Sequence, residues 1–393
     1  MKKQPTVAIY SGVSLSSTFI ERFIKGLSKA GTSIYIFGID SGIPIHNKNV
    51  SYSAYGKKWH KFFVLLKYTT LLLLFKPKEK KKLDVIIADS SKGKHLLQLK
   101  YYSVLYYKPD VFHIQWAKSI EDWIWVEDFG MRLVLSLRGA HINYSPIVDK
   151  RLADTYKKLF PKVAGFHAVS LAIAKEATKY DANFEHIKVI KSGLRLNKFS
   201  FELKVYDSKS PMKIISVGRD HWVKNYKMAL DAMFKLKQSG KKFHYTIIGV
   251  KNNEALLYQR SQLGLDKEVD FIEALPFIDV KSAIQEADVM LLSSVKEGIA
   301  NVVLEAMALG TLVISTNCGG MAEVVLPNQT GFLVPNRDML SMSKALIEVS
   351  QLPLANYQHI TKQARAFVEK YHNEDRMIAE MQALYQNLIP QKS

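Results

Sequence analysis

The chain has 393 residues, of which 48% are hydrophobic and 23% charged, a balance that excludes a disordered or collagen-like protein. A single cysteine, Cys318, excludes an intrachain disulfide and gives no sign of an oxidising compartment. The net charge of +19 predicts an anionic partner: nucleic acid, a membrane surface or a phosphorylated substrate.

This charge is unevenly distributed along the chain. Residues 1–200 contain 33 basic and 15 acidic side chains, whereas residues 201–393 contain 22 and 21. Residues 57–82 alone hold nine lysines and one acid, Glu79. The asymmetry predicts two domains that face different partners.

The N-terminal residues do not resemble a secretory signal. The apolar run 6–10 is shorter than the apolar region of a signal peptide. The most lipophilic stretch, residues 62–75, is interrupted by Lys67, Thr69 and Thr70, and it falls short of the roughly 20 apolar residues that span a bilayer. We therefore expect a cytoplasmic protein without a membrane span.

In the first half, short apolar runs alternate with helical patterns, which predicts βαβ units around a parallel sheet. The polar stretch 192–213 interrupts this pattern and predicts a linker at the best domain boundary. The predicted strands are Thr6–Gly12, Ile34–Ile39, Asp84–Asp89, Val111–Trp116, Leu133–Leu137, Gly165–Ser170 and Lys188–Ile190.

The same alternation resumes after residue 213. The predicted strands are Ile214–Val217, Tyr245–Ile248, Val269–Ile272, Val289–Leu292, Leu312–Ser315 and Phe332–Val334. The predicted helices are Tyr226–Gln238, Val280–Ala287, Val302–Leu309 and Asp338–Ser350. Two doubly wound α/β domains therefore follow one another, and we expect ligands at the carboxyl ends of their strands, in a cleft between the domains.

Two carboxylates lie eight residues apart in the second half. Glu297 falls in a glycine-containing loop after a predicted strand, and Glu305 falls inside the next helix. The helix N-terminus favours an anion, and a carboxylate within the helix suits the vicinal diol of a ribose. The spacing leaves a second interpretation equally open, in which both are solvated surface residues.

Two cations follow the strand 214–217. Arg219 and Lys224 would suit a diphosphate whose charge grows as it leaves. Taken alone, they are more often exposed surface charges. The sequence has no Asp-x-Asp, no Glu/His metal cluster and no Gly-x-x-x-x-Gly-Lys loop, so we expect neither a metal nor a cofactor, and the two cations would replace a metal.

Together these motifs resemble retaining glycosyltransferases of family 4, within glycosyl transferases group 1. The resemblance covers nearly the whole chain and is most specific in residues 289–325. It is carried there by Ser293, Ser294, Glu297, Gly298, Asn301, Glu305 to Ala308, Gly310, Gly319, Gly320 and Glu323, and elsewhere by Gly218-Arg219, Lys224-Asn225, Val169-Ser170, Ile187–Gly193, Pro109-Asp110, His113 and Ser17–Ile20.

This resemblance implies the GT-B architecture, in which two Rossmann-like domains face each other across a cleft. Residues 1–195 would form the acceptor-side domain, including a basic membrane-facing segment 57–82. Residues 196–370 would bind the nucleotide sugar, and residues 371–393 would form a helix that packs back on the first domain.

The resemblance also implies roles for individual residues. Arg219 and Lys224 would hold the diphosphate of a UDP- or GDP-linked sugar, Glu305 the ribose hydroxyls, and Glu297 the transferred sugar. The implied catalytic residues are Arg219, Lys224, Glu297, His113 and Arg138. The implied donor-binding residues are Gly12, Gly218, Leu275, Pro276, Gly298, Ile299, Ala300, Asn301 and Glu305.

One motif departs from the family pattern. Many members carry a His-Gly pair after the strand 133–137, where this chain has Arg138-Gly139. A permanent cation thus replaces a neutral side chain, which leaves the role of His141 open. His113 is the better-matched histidine, although a histidine on a buried strand is more often a core residue.

The basic segment 57–82 combines Trp, Phe and Leu with a lysine cluster. This composition is typical of a helix in an anionic lipid interface, where each lysine adds about 1 kcal/mol. A core helix with a solvated lysine-rich end is an equally open interpretation. Membrane docking would suit a lipid-linked acceptor.

We therefore favour a cytoplasmic transferase, peripheral on the inner face of the cell membrane, that moves a sugar from a nucleotide sugar to a saccharide or lipid-linked acceptor. Its product would be a cell-surface polysaccharide or glycolipid. Two alternatives remain: another GT-B enzyme, such as a nucleotide-sugar 2-epimerase or phosphorylase, and a nucleic-acid-binding protein. No nucleic acid is expected, because no nucleic-acid-binding motif accompanies the charge.

Overall fold

The computed structural model describes residues 4–12, 18–39, 45, 47–56, 58–90, 92–205 and 210–389. Contacts between Cα atoms divide the chain into two units. The first comprises the described residues of Met1–Val169, Ala174–Ile190 and Met377–Ser393, and the second comprises those of Ser170–Ile173 and Lys191–Arg376.

The first unit contains a seven-stranded parallel sheet with the order β3-β2-β1-β4-β5-β6-β7. Most of its strands are buried, as expected for a parallel sheet covered on both faces. The strands are β1 (Thr6–Tyr10), β2 (Ser33–Ile39), β3 (Val50–Tyr55), β4 (Val111–Ile114), β5 (Arg132–Leu137), β6 (Gly165–Ala168) and β7 (Ile187–Val189).

Among the described residues, nine α-helices precede the second sheet in sequence. They are α1 (Thr18–Lys29), α2 (Lys58–Phe75), α3 (Pro77–Ala88), α4 (Lys94–Tyr107), α5 (Ile120–Trp123), α6 (Ala140–Asn143), α7 (Ser145–Val148), α8 (Lys150–Leu159) and α9 (Leu171–Thr178). Within the described residues, none of the protein's helices is long and apolar enough to cross a membrane.

The second unit contains a six-stranded parallel sheet with the order β10-β9-β8-β11-β12-β13. The strands are β8 (Met212–Val217), β9 (Phe243–Ile248), β10 (Val269–Ile272), β11 (Val289–Leu292), β12 (Leu312–Thr316) and β13 (Phe332–Val334). The helices are α10 (Tyr226–Gln238), α11 (Glu254–Gln262), α12 (Phe277–Glu286), α13 (Asn301–Leu309), α14 (Met339–Ser350) and α15 (Leu354–Tyr371), and the last helix of the chain is α16 (Glu374–Leu388).

Successive residues of β11 pack into different cores of the second unit. Val289 and Leu291 join the cluster that contains α10 and α14, whereas Met290 and Leu292 join the cluster that contains α13. Because side chains alternate across a strand, these clusters lie on opposite faces of the sheet. The second unit is therefore doubly wound.

The C-terminal helix α16 contributes to the core of the first unit. Met381 and Tyr385 are buried with residues of β1, β2 and α1. A Cβ on Gly26 of α1 would lie 2.7 Å from Cδ1 of Ile378. The glycine thus permits close approach of α1 and α16.

The prediction of a strand at Asp84–Asp89 is wrong, because these residues form the end of α3 and its C-cap. Pro77 stands in the first turn, where its missing N–H costs nothing. Leu83 and Ile87 are buried four residues apart on one helical face. A short apolar run does not by itself distinguish a strand from a helix end.

The strand β3 was not predicted. It pairs with β2 at the edge of the sheet and alternates polar with apolar residues. A half-buried strand alternates in this way and therefore has no continuous apolar run to identify it.

Candidate functional site

The loops after β8 and β11 bring Lys224 and Glu297 together. These strands are parallel neighbours, so their carboxyl ends meet at one edge of the sheet. Lys224 Nζ donates to Glu297 Oε1 at 2.7 Å, and Ser294 Oγ donates to the same oxygen at 2.8 Å. The two charged side chains are 19% and 17% exposed, so the ion pair is reachable from solvent but partly shielded.

Lys224 is held by the backbone around it. Ser293 Oγ donates to the Lys224 carbonyl at 2.7 Å, and Asn225 adopts a left-handed φ of 52° before α10. Tyr226 Oη donates to the Gly218 carbonyl at 3.0 Å. A Cβ on Gly218 would lie 2.9 Å from both Lys224 Cε and Tyr226 Oη, so a larger residue there would displace the cation.

Arg219 follows Gly218 and is exposed. It makes no ion pair with any residue that the structure describes. Together with Lys224, it gives the carboxyl edge of β8 two positive charges, one internally paired and one open to an added anion.

The loop after β11 leads into α13. Gly298, Ile299 and Ala300 are buried, while Asn301 at the start of the helix is exposed. Glu305 lies in the second turn and is half-buried. The first amides of α13 and its dipole favour negative charge at this end.

Two glycines of the loop after β12 pack directly on this backbone. A Cβ on Gly319 would lie 1.8 Å from the Glu297 carbonyl oxygen, and one on Gly320 would lie 2.1 Å from that of Gly298. Gly319 also has a φ of +59°. The Gly-Gly pair therefore fixes the position of the Glu297 loop.

Leu275 and Pro276 lie after β10, the edge strand, and both are exposed. In the part of the chain that the structure describes, no hydrogen bond or ion pair links them to Lys224 or Glu297. Nor do the described residues include a group of three or more His, Cys, Asp or Glu side chains that could hold a metal ion.

In the first unit, His113 lies in a buried network. Its Nδ1 is 2.7 Å from Tyr385 Oη, and its Nε2 is 2.8 Å from Ser136 Oγ. The Ser136 hydroxyl also lies 2.9 Å from His167 Nδ1. Burial lowers the pKa of His113 well below its usual range and lowers that of His167 to about 3. Both rings are therefore neutral at pH 7, and both nitrogens of His113 are occupied.

Arg138 lies beside this network. Its Nη2 donates to Gln115 Oε1 and Ser136 Oγ, each at 3.3 Å, and its guanidinium lies 4.2 Å from the centre of the Phe19 ring. Burial lowers the pKa of Arg138 to about 9. His141 does not join this contact, since its ring stacks on Trp116 with centroids 5.3 Å apart.

The loop after β1 contains Gly12, which has a φ of +88°. Its carbonyl accepts a hydrogen bond from the Ile39 amide at 3.1 Å, and a Cβ on Gly38 would lie 2.5 Å from that carbonyl oxygen. Ser17 of the predicted motif and Lys57 of the basic segment lie outside the described residues.

Gln115 and Ser136 were not predicted as site residues. Each is a common polar residue with no motif of its own, and Ser136 is the one polar residue of the buried part of its strand, 133–137. A polar residue inside or directly after a buried strand is the one signal that could have identified them.

Comparison with known proteins extends these observations. Residues 201–367 match the family described as Glycosyl transferases group 1. WcaL of Escherichia coli (strain K12), whose name assigns it to colanic acid biosynthesis as a glycosyltransferase, is 32% identical over 240 residues, which is 59% of this chain and 59% of that protein. The amylovoran biosynthesis glycosyltransferase AmsK of Erwinia amylovora is 31% identical over 61% of this chain and 60% of its own. The matches thus span about three fifths of these relatives.

The crystal structure of Anabaena Alr3699/HepE in complex with UDP and glucose aligns with 97% of this chain and 100% of its own. Its TM-score is 0.70 at 15% sequence identity. The likeness is one of fold alone. Two Rossmann-like units in one chain with this likeness give the protein the GT-B fold.

The segment that matches glycosyl transferases group 1 contains Arg219, Lys224, Glu297 and Glu305. His113 and Arg138 lie outside it. The family match therefore says nothing about His113 and Arg138. The evidence for these two residues is their geometry in the first unit.

Proposed function

We propose that the protein is a glycosyltransferase that moves a sugar from a nucleotide-diphosphate donor to a saccharide acceptor in polysaccharide synthesis. The observation that carries the proposal is the Lys224–Glu297 pair beside the exposed Arg219, at the carboxyl edge of β8 and β11 within the family segment. The names of the relatives WcaL and AmsK support polysaccharide synthesis as the context.

The donor diphosphate would bind Arg219 and Lys224. As the bond between the sugar and the diphosphate breaks, negative charge grows on the leaving oxygens, and fixed cations stabilise that charge. Glu297 would then accept hydrogen bonds from the transferred sugar and Glu305 from the ribose. The amides that begin α13 would add positive potential on the same side.

We propose a retaining reaction, as in family 4, in which the acceptor oxygen attacks the face from which the diphosphate leaves. The sugar C1–O bond to phosphate breaks, a C1–O bond to the acceptor forms, and the acceptor proton passes to the leaving diphosphate. The protein needs no carboxylate nucleophile for this step. Its work is positioning and charge stabilisation, with Arg219 and Lys224 as the cations.

Binding of UDP, GDP and a panel of their sugars, measured by thermal shift, tests the donor site, because a bound ligand raises the unfolding temperature by mass action. We expect one nucleotide series to stabilise the protein and Lys224→Gln to reduce the effect. Incubation with the stabilising sugar, with and without polysaccharide fragments, separates transfer from epimerisation and phosphorolysis. Absence of stabilisation by every nucleotide would refute the proposal.

We further propose that the acceptor is lipid-linked and that the protein docks on the inner face of the cell membrane through α2 and α3. Helix α2 is apolar on two sides. Tyr68 and Leu72 are buried in the first unit. A second row, which we call the apolar stripe, is 52–78% exposed and recurs at helical spacing: Trp59, Phe63, Leu66, Leu73 and Leu74.

Exposed lysines occur on the same two helices, α2 and α3. Glu79 and Asp84, the acids of α3, are paired with Lys108 and Lys80. Four exposed lysines make neither an ion pair nor a hydrogen bond with a described residue, and we call them the exposed lysine cluster: Lys61, Lys67, Lys78 and Lys81. Lys82 is also exposed, but it donates to the Asp128 carbonyl at 2.7 Å. A large exposed apolar surface together with exposed lysines on the same two helices favours an anionic lipid interface. A second copy of the chain fits poorly, because it would bring like charges together.

A further inference from the structure

Buried hydrogen-bond groups without a partner gather at the carboxyl edge of the first sheet. They belong to the residues that follow β4 and β5, which are parallel neighbours. The partnerless atoms are Gln115 Nε2, Arg138 Nε, His141 Nδ1 and Asn143 Nδ2. Since nearly all buried polar groups in folded proteins are satisfied, this concentration requires an explanation.

Three of these atoms can only donate. The amide nitrogens of Gln115 and Asn143 and the Nε of Arg138 each carry hydrogens and no acceptor lone pair. Gln115 and Asn143 are 0% and 3% exposed, so solvent does not satisfy them freely. A matching ligand therefore presents several oxygen acceptors to this edge.

The charge of Arg138 narrows the class of ligand. Its guanidinium contacts the Gln115 and Ser136 oxygens and the Phe19 ring, but it contacts no carboxylate of the described residues. His113 and His167 nearby are neutral and offer no compensating negative charge. The Nε atom of Arg138 is buried, although the side chain as a whole is only partly buried. A partly buried cation without a counter-charge is costly, and its planar fork matches a carboxylate or phosphate.

We propose that Arg138, Gln115 and Asn143 bind an oxyanion, a carboxylate or a phosphate group, carried by the sugar acceptor. The assignment to the acceptor rests on the proposed function, in which the donor diphosphate occupies Arg219 and Lys224 of the second unit. The oxyanion site lies outside the segment that matches the family. It would select acidic acceptors over neutral ones.

The test compares charged with neutral probes. Titration calorimetry or ligand-observed NMR would measure the affinity of the protein for glucuronate, glucose 1-phosphate and glucose. We expect glucuronate or glucose 1-phosphate to bind about tenfold or more tightly than glucose, since charge-assisted hydrogen bonds dominate this site. Tighter binding of glucuronate would indicate a carboxylate ligand, and tighter binding of glucose 1-phosphate would indicate a phosphate ligand.

Arg138→Met is the informative variant, and Lys118→Gln is its matched control, because Lys118 is an exposed neighbouring cation. Arg138→Met should abolish the preference for the charged probe over glucose. Lys118→Gln should leave this preference within about twofold of the wild-type value, since an exposed charge is screened. In the absence of ligand, Arg138→Met should unfold at the same or a higher temperature, because it removes a partly buried charge that has no counter-charge.

Several results would overturn the proposal. Equal affinity for charged and neutral probes would do so, as would Arg138→Met lowering the unfolding temperature while the charged probe still binds. Loss of UDP or GDP affinity in Arg138→Met would assign the cation to the donor instead. If no nucleotide binds but the charged probe does, the proposed function fails while the oxyanion site stands.

Discussion

The Lys224 ammonium donates a 2.7 Å hydrogen bond to the Glu297 carboxylate, across 73 residues of sequence. The cation that we assign to the donor diphosphate therefore already has an internal anion. When a diphosphate binds, it competes with Glu297 for this ammonium and is repelled by the carboxylate.

Glu297→Gln should therefore bind UDP or GDP more tightly while losing transfer. Removing a competing charge from a partly exposed pair is worth about 1 kcal/mol, or roughly fivefold in affinity. Lys224→Gln should weaken the same nucleotide about tenfold or more. Calorimetry measures both affinities, and Asp266→Asn, which breaks the exposed Arg260–Asp266 pair, is the control without effect. Weaker nucleotide binding in Glu297→Gln would contradict this competition.

Gly319→Ala should disrupt the proposed donor site through the backbone. Its Cβ would lie 1.8 Å from the Glu297 carbonyl oxygen, so the loop has to move. Gly240→Ala is the matched control, because Gly240 also has a positive φ of +76° but has nothing within 4 Å of its Cβ position. Both variants carry a left-handed strain of about 1–2 kcal/mol. The unfolding temperature and the nucleotide affinity should both fall further in Gly319→Ala than in Gly240→Ala. Equal losses in the two variants would show that the strained φ angle, and not the clash with Glu297, is the cause.

The sequence was sufficient to predict most of the two sheets, because a buried parallel strand appears as a short apolar run between polar loops. The strands Val269–Ile272, Val289–Leu292 and Phe332–Val334 and the helix Tyr226–Gln238 have the predicted bounds. The predictions were wrong or missing at α3 and β3, where each element buries only one of its faces. There the distinction between helix and strand depends on tertiary packing and not on the local run of apolar residues.

The candidate site was predictable only as separate segments. Motifs singled out Lys224 and Glu297, but their contact depends on β8 and β11 being neighbours, which local patterns do not specify. The network around His113 was harder still, because Ser136 and Gln115 have no sequence signature. Their importance comes from burial beside a cation, which exists only in the folded chain.

The buried histidines should make the protein unstable to mild acid. Burial lowers the pKa of His167 to about 3 and that of His372 to about 4, while the unfolded chain binds these protons near pH 6.5. The contribution of these histidines to the free energy of unfolding is therefore fully present above about pH 6.5. It is lost as the pH drops toward their pKa values in the folded protein, by up to about 1.4 kcal/mol per pH unit for each histidine.

Denaturant unfolding at pH 7.5, 6.0 and 5.0 measures this dependence. His167→Gln should make the slope shallower, whatever its effect on absolute stability, because one proton-binding group is removed. The exposed His359→Gln should leave the slope unchanged. A slope that is identical in the wild type and both variants would exclude His167 as a source of the acid sensitivity.

Docking through α2 and α3 predicts separate apolar and electrostatic contributions to membrane binding. We expect sedimentation with phosphatidylglycerol vesicles that weakens with salt, and little binding to phosphatidylcholine. Lys78→Gln with Lys81→Gln should reduce binding roughly 30-fold, at about 1 kcal/mol per lysine. Phe63→Ser with Leu66→Ser should reduce binding at low salt as well, because these exposed side chains would enter the lipid.

Lys242→Gln with Lys267→Gln provides the control, since both are exposed lysines of the second unit and the net charge changes equally. This variant should bind vesicles within about twofold of the wild type if binding is local to α2 and α3. If the two double Lys→Gln variants lost vesicle binding equally, the net charge of the protein alone would explain the interaction. Light scattering distinguishes the remaining case: if the wild type is a dimer that Phe63→Ser with Leu66→Ser converts to a monomer, the apolar stripe contacts a second copy and not a membrane.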